Sequence, residues 1–411
     1  MIEISQIIFQ IFLFIFLTLF PVNKFLVNQN SLFKNMNFFT SISINSLILM
    51  FLLLLFSFFK INLEKIFLIL VILYSILSFK IILSKKKKIQ FENWPLIIFF
   101  LFSLTCIFIN TGYQFELGWD GFNWKEKANF FYNNGYLFDI NKNILTDQNY
   151  PHLGTYIWAF FWKNSFLNYE YIGRLFYNYI YVTSIFAIIL SFRDISNLKK
   201  IFIFTLIFFC TFDVGLNGYQ DYLIFSILSI FAASLVDYHL TKNYYIFYLV
   251  YLLSGILLPW IKLEGFIYSL FVLIIFFIYE LQLKKDKRNY LRVLFSMLII
   301  FSLLMRISVN NILDGNTLFH GNLNDFIEFK LSFSEILNKI YYILFYLLNS
   351  FFKYPIWLFN LVGLLLSIYF VKNIKILGIF LLFFILNILF IFLIYLTSSA
   401  NIIWYLSASL D

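Results

Sequence analysis

Apolar runs of about 20 residues, the length that crosses a bilayer core, recur from one end of this chain to the other. That feature limits the fold class to an all-α, polytopic bundle of transmembrane helices. Composition agrees. Of 411 residues 62% are hydrophobic, against about 45–50% in soluble domains. Charged residues make up 12%, about half the usual share. A soluble domain of this size could not cover such a surface with polar groups.

The same composition excludes other classes. With 14 Gly and 5 Pro there is little room for phosphate-cradling loops, and neither GxGxxG nor GxxxxGK[ST] occurs. Cys106 and Cys210 sit far apart in apolar runs, and His152, His239 and His320 are scattered, so neither a disulfide framework nor a metal ligand set is visible. The net charge of +9 lies largely in short clusters between spans, a topology signal and not a nucleic-acid footprint. The 59 Phe and 28 Tyr accompany abundant Ile, Asn and Lys, the bias of an AT-rich genome, and are not in themselves a binding signal.

Hydropathy predicts apolar segments at about 4–22, 43–59, 64–83, 95–110, 173–192, 201–212, 222–237, 244–259, 266–281, 290–308, 337–352, 355–371 and 376–397. About 12–13 spans are therefore expected. The first follows Glu3 without a basic stretch before it or a small-residue cleavage site after it, and is expected to remain as an uncleaved span. Basic loops set the orientation. Lys85 to Lys88, Arg193 with Lys199 and Lys200, and the Lys284–Arg288 run should be cytoplasmic. Residues 111–172, 213–221, 259–265 and 310–336 then lie outside. Lys372 and Lys375 break the alternation, which suggests that 337–352 is interfacial or re-entrant. No separate soluble domain and no inverted repeat is expected. The chain divides at 94 into N-terminal spans, 1–94, and a module, 95–411, with the outer loop 111–172.

That loop carries Trp119, Trp124, Trp158 and Trp162, a residue type that ordinarily anchors a helix at the membrane interface. The stretch 151–163, opened by Pro151, should form a helix lying along the outer surface.

Three outer clusters combine acids and bases. The first, Gly118-Trp119-Asp120-Gly121-Phe122-Asn123-Trp124-Lys125-Glu126-Lys127-Ala128, puts Trp124 and Lys127 on one face if it is helical. The second is Gly218-Tyr219-Gln220-Asp221, and the third Pro259-Trp260-Ile261-Lys262-Leu263-Glu264-Gly265. Each also has a plain structural reading: a solvated loop with anchors, a helix N-cap at Asp221, and a snorkelling Lys–Glu pair. Charges so near hydrocarbon are nevertheless functional candidates by default.

Taken in order, the clusters resemble a pattern in bacterial integral-membrane glycosyltransferases of the GT-C superfamily, the class of the protein O-mannosyltransferases and the aminoarabinose transferases of lipid A. Uncharacterised members read Trp-Asp-Gly-x-x-x-Trp-x-x-Lys-Ala, then Tyr-Pro, Gly-Tyr-x-Asp, Lys-x-Glu-Gly and a late Trp-x-Leu-x-x-Ser. The corresponding residues are Trp119-Asp120-Gly121 with Trp124 and Lys127-Ala128, then Tyr150-Pro151, Gly218 to Asp221, Lys262 to Gly265, and Trp404 to Ser409. The resemblance covers residues 95–411. In the pattern a His often follows the late Trp, where this chain has Tyr405, and Leu-Asp-Arg comes next, where this chain has Leu410-Asp411 as its last residues.

The resemblance implies a GT-C-like fold and transfer of a sugar from a polyprenyl phosphate to a lipid, polysaccharide or protein acceptor outside the cytoplasmic membrane. It assigns the catalytic base to Asp120. Trp124, Lys127, Tyr150, Asp221, Lys262, Glu264 and Trp404 would bind substrate or donor. Lys127 or Lys262 would face the departing phosphate. Asp221 and Glu264 would bind hydroxyls or hold those lysines. No particular cofactor is assigned. The scheme leaves room for a divalent metal, though no ligand cluster argues for one. Nucleic acid is not an expected partner. The alternatives are a flippase of lipid-linked saccharides, which predicts ionisable residues in mid-span, a non-catalytic assembly subunit, and an O-antigen polymerase, which predicts arginine-rich outer loops.

Overall fold

The computed structural model describes residues 4–27, 38–83, 94–114, 117–134, 152–191, 195–211, 218–241, 244–281, 289–312, 333–353 and 374–397. Within these, some side chains, including those of Trp119 and Asp120, lie outside the description. The expected span 355–371, Tyr150, Pro151 and Trp404 also lie outside it.

Among the described residues every regular element is a helix. The order is α1 (Ile4–Val27), α2 (Phe38–Phe58), α3 (Leu63–Leu83), α4 (Trp94–Tyr113), α5 (Gly118–Asn134), α6 (Leu153–Lys163), α7 (Tyr171–Ser191), α8 (Asn197–Thr211), α9 (Asp221–Thr241), α10 (Tyr244–Ile261), α11 (Leu263–Leu281), α12 (Asn289–Ile312), α13 (Phe333–Lys353) and α14 (Ile374–Thr397). Chains this apolar become helical because hydrocarbon offers the backbone no other hydrogen-bond partner. Among the described residues seven helices, α2, α4, α7 and α9 to α12, are long and apolar enough to cross a membrane. The protein is thus an integral, multi-pass membrane protein, all-helical in its described residues.

Two compact units divide the chain, Met1–Ser269 with Lys287–Arg306, and Leu270–Asp286 with Ile307–Asp411. In the first, α7 is the central helix, with every residue from Tyr171 to Ala187 buried. It packs on α1, α2, α4, α6, α8 and α9. Buried polar side chains link these helices. Thr18 and Tyr179 share a hydrogen bond, Asn178 donates to the Thr111 hydroxyl at 2.8 Å, and Ser43 donates to the Thr183 carbonyl at 3.2 Å. Phe14 is ringed by Phe108, Phe161, Phe176 and Tyr179. The N-terminal helices α1 to α3 belong to this same unit. In the second unit Ile343 of α13 packs with Tyr346, Leu347, Phe392 and Leu396, and Phe271 meets Phe383 and Phe390 edge-on. The segment expected to be interfacial or re-entrant forms one unbroken helix, α13, which is not among the seven.

One expectation is corrected. The stretch 151–163 does contain a helix, α6, but not a peripheral one: Leu153 to Phe161 are all buried. Leu-Gly-Thr-Tyr-Ile-Trp-Ala-Phe-Phe is apolar on every side, so no face of it prefers water. It is enclosed by α2, α3, α5, α7 and α10. Trp158 is accordingly a core residue and not an interface anchor.

Several helix ends meet at one end of the first unit. The Gln6 side chain accepts from the Leu167 amide at 3.1 Å, Lys163 pairs with Glu64 at 3.6 Å, and Phe58 packs on Trp260. This is the end at which α3 and α7 begin. The basic segments Lys85–Lys88 and Arg193 follow their other ends, Leu83 and Ser191, in the sequence. Each of those helices has 21 residues, about 30 Å.

Candidate functional site

The site is built from chain segments that are remote in sequence. At the first, α5 starts on Gly118, whose φ of +60° suits glycine. Gly121, Trp124, Lys127, Ala128 and Phe131 recur at helical spacing as a buried stripe, and α5 packs on α6. The Lys127 ammonium lies 4.9 Å from the centre of the Trp124 ring, a cation–π contact within one turn. The shared face expected for these two residues is therefore present. The backbone of Asp120 occupies the first turn of α5.

At the second segment, Gly218 takes a φ of +78°. The turn needs glycine twice over, because a Cβ there would also overlap the Trp158 ring and come within 3.1 Å of Arg174 Cδ. Gln220 is buried, and its amide nitrogen donates to the Tyr177 hydroxyl at 2.9 Å. Its carbonyl end lies where a side chain at position 154 would project, so Gly154 is what allows Gln220 in. Tyr219 reaches back to the first segment: a Cβ on Gly118 would be 3.7 Å from its hydroxyl. Asp221 then opens α9, where negative charge favours the helix N-terminus.

At the third, Lys262 separates α10 from α11. Pro259 in the last turn of α10 has no N–H to continue the ladder. Freed from the helix, Lys262 donates to both carboxylate oxygens of Asp221, at 3.0 and 3.1 Å, and lies 3.6 Å from Glu264. The side chains are 20% exposed for Lys262, 50% for Asp221 and 38% for Glu264. A pair this exposed adds only about 0–1 kcal/mol, so its effect is chiefly positional. Two carboxylates around one ammonium leave the group with excess negative charge and with oxygens able to accept hydrogen bonds from hydroxyl or amine donors. Tyr268, one turn beyond Glu264, lies within electrostatic reach of all three. Behind them the Trp260 indole N–H donates to the Ser302 hydroxyl at 3.0 Å, tying the break to α12.

Of the expected site residues, Asp221, Lys262 and Glu264 form one cluster, and Trp124 with Lys127 a second. Gly118 and Tyr219 bring the beginnings of α5 and α9 together. Among the described residues no three His, Cys, Asp or Glu side chains converge as a metal site would need.

Sequence reasoning passed over one pair. Arg174 is buried, and Glu170 grips it through Nε at 3.0 Å and Nη2 at 3.2 Å. The same Nη2 donates to the Gln114 carbonyl at 3.3 Å, and the guanidinium lies 5.8 Å from the Trp158 ring centre. The signal was present: an acid and a base at i, i+4 where an apolar run opens.

Comparison with protein-family models, with curated proteins and with solved structures finds no match to this chain.

Proposed function

We propose that the protein is a membrane glycosyltransferase that moves a sugar from a polyprenyl-phosphate donor to a lipid, polysaccharide or protein acceptor, on the outer face of a bacterial cytoplasmic membrane. The observation that carries this reading is the convergence of the Gly118, Tyr219–Asp221 and Lys262–Glu264 segments at one end of the first unit, where α3 and α7 begin, opposite their ends at Leu83 and Ser191. It is supported by the GT-C-like order of those motifs in the sequence.

Chemistry at that face has no nucleotide-sugar to draw on, whereas a lipid carrier lies between helices and presents its sugar at the boundary. In the proposed step Asp120 takes the proton of an acceptor hydroxyl, and the oxygen attacks the anomeric carbon. The bond from that carbon to the phosphate oxygen breaks, and polyprenyl phosphate leaves without needing a proton. One carboxylate then suffices, where glycosidases use two. Base catalysis of this type contributes about 10²–10⁴-fold. Lys127 supplies positive charge toward the phosphate from a water-poor helix face. Lys262 is compensated by its two acids and serves to hold Asp221 and Glu264 toward sugar or acceptor hydroxyls.

The test is transfer of labelled sugar from a panel of polyprenyl-phosphate sugars in membranes carrying the wild type or Asp120→Asn. Transfer that disappears in a variant still inserted at the wild-type level supports the reading. Transfer unchanged by the substitution removes Asp120 from the mechanism.

A further inference from the structure

We infer that Arg174, gripped by Glu170, is a positioning residue for this site: it fixes the end of α4 that leads to Asp120 against the turn that carries Asp221. Its catalytic consequence rests on the proposed transfer reaction; its geometric content does not.

A guanidinium that is 2% exposed is expensive to bury, and apolar side chains of similar volume often stabilise a protein as well or better. Stability alone is thus a poor account of Arg174. An apolar side chain, however, cannot address several chain segments by direction. Arg174 does so. Nε and Nη2 take the two oxygens of Glu170, a fork that fixes the plane of the group. Within that plane Nη2 also reaches the carbonyl of Gln114, four residues before Gly118. The aliphatic part lies against Gly218, three residues before Asp221, with Trp158 closing the other side of the same glycine.

The two acid-bearing segments therefore share one rigid neighbour. Displacing it moves both, and their spacing sets where the base stands relative to the hydroxyls that Asp221 would hold. A misplacement of about 1 Å at such a site costs about 10²-fold in rate. Lysine is not an equivalent, because a single ammonium lacks the planar fork.

The test uses the full chain in lipid nanodiscs, as wild type, Arg174→Lys and Glu170→Gln, with two readouts. The first is hydrogen–deuterium exchange of the 111–128 and 218–224 segments. The second is kcat and donor KM with the polyprenyl-phosphate sugar panel. In Arg174→Lys, exchange should rise in both segments together while α2 and α10 stay as in the wild type. The kcat should fall by about 10²-fold with donor KM unchanged. Glu170→Gln, which keeps an acceptor and a similar shape, should lie between the two. Paired loosening in a protein whose wild type transfers nothing supports the positioning and removes the transfer reading. Loosening of one segment alone, loosening spread over all helices, or paired loosening with undiminished kcat overturns the inference.

Discussion

Lys262 donates to both carboxylate oxygens of Asp221, at 3.0 and 3.1 Å, from a position 41 residues further along the chain. The contact joins the first turn of α9 to the break between α10 and α11, and Glu264 lies 3.6 Å from the same ammonium. An apolar bundle has no need of such a group, and its position at helix ends makes it the centre of the functional account.

Substituting either partner should cost far more activity than stability. In a cycle of Asp221→Asn, Lys262→Met and the double variant, thermal unfolding in detergent should give a coupling of about 0.2–1 kcal/mol, as expected of half-exposed pairs. Transfer should be nearly abolished in all three. Coupling well above that range would mean that the pair is structural.

At Gly218 the expectation is reversed. Alanine would be forced to a φ of +78° and into the Trp158 ring, so Gly218→Ala should destabilise the protein by about 1–3 kcal/mol. Adding Trp158→Leu makes room and should recover part of the loss, leaving the backbone term. Additive losses in the melting measurement would show that the ring is not the obstacle.

Gln220 and Tyr177 test the cost of an unmet hydrogen bond. Tyr177→Phe leaves the buried amide of Gln220 without this partner and should cost about 1–3 kcal/mol. Tyr177→Phe combined with Gln220→Leu removes donor and acceptor together and should cost less than Tyr177→Phe alone. Equal melting temperatures for the wild type and Tyr177→Phe would contradict the contact.

The orientation can be checked by labelling. In a background without native cysteines, Phe166→Cys, at a residue 76% exposed beside α6, should react with an impermeant maleimide from outside intact cells. Lys86→Cys should react only after the membrane is opened. The opposite pattern would put the site on the cytoplasmic face.

The helices were legible because hydropathy and helix length are local properties. The expected 64–83 and 244–259 appear as Leu63–Leu83 and Tyr244–Ile261. The Trp124–Lys127 contact was legible for the same reason, since three residues of helix determine it. What failed needed tertiary knowledge. Trp158 has the composition of an interface anchor, yet Gly173 and Gly218 are shaped around its ring, which no local window reveals. Lys262 and Asp221 were visible as charges beside spans, with the acid expected to bind hydroxyls or hold a lysine; which lysine it holds depends on how α9 sits against α10. Arg174 is visible in the sequence as a charge near a span end, but its contacts with Gln114, Trp158 and Gly218 join segments that no local window brings together.

The central claim is sugar transfer at the joined acids, and the most direct measurement is product formation from polyprenyl-phosphate sugars by membranes carrying the wild type, Asp120→Asn or Lys262→Met. The account predicts labelled product from the wild type with at least one donor, and a loss of about 10²-fold or more in each variant at equal insertion. Product formed at wild-type rates by either variant would contradict the role given to that residue. If both variants match the wild type, the transfer site is not where the three segments meet.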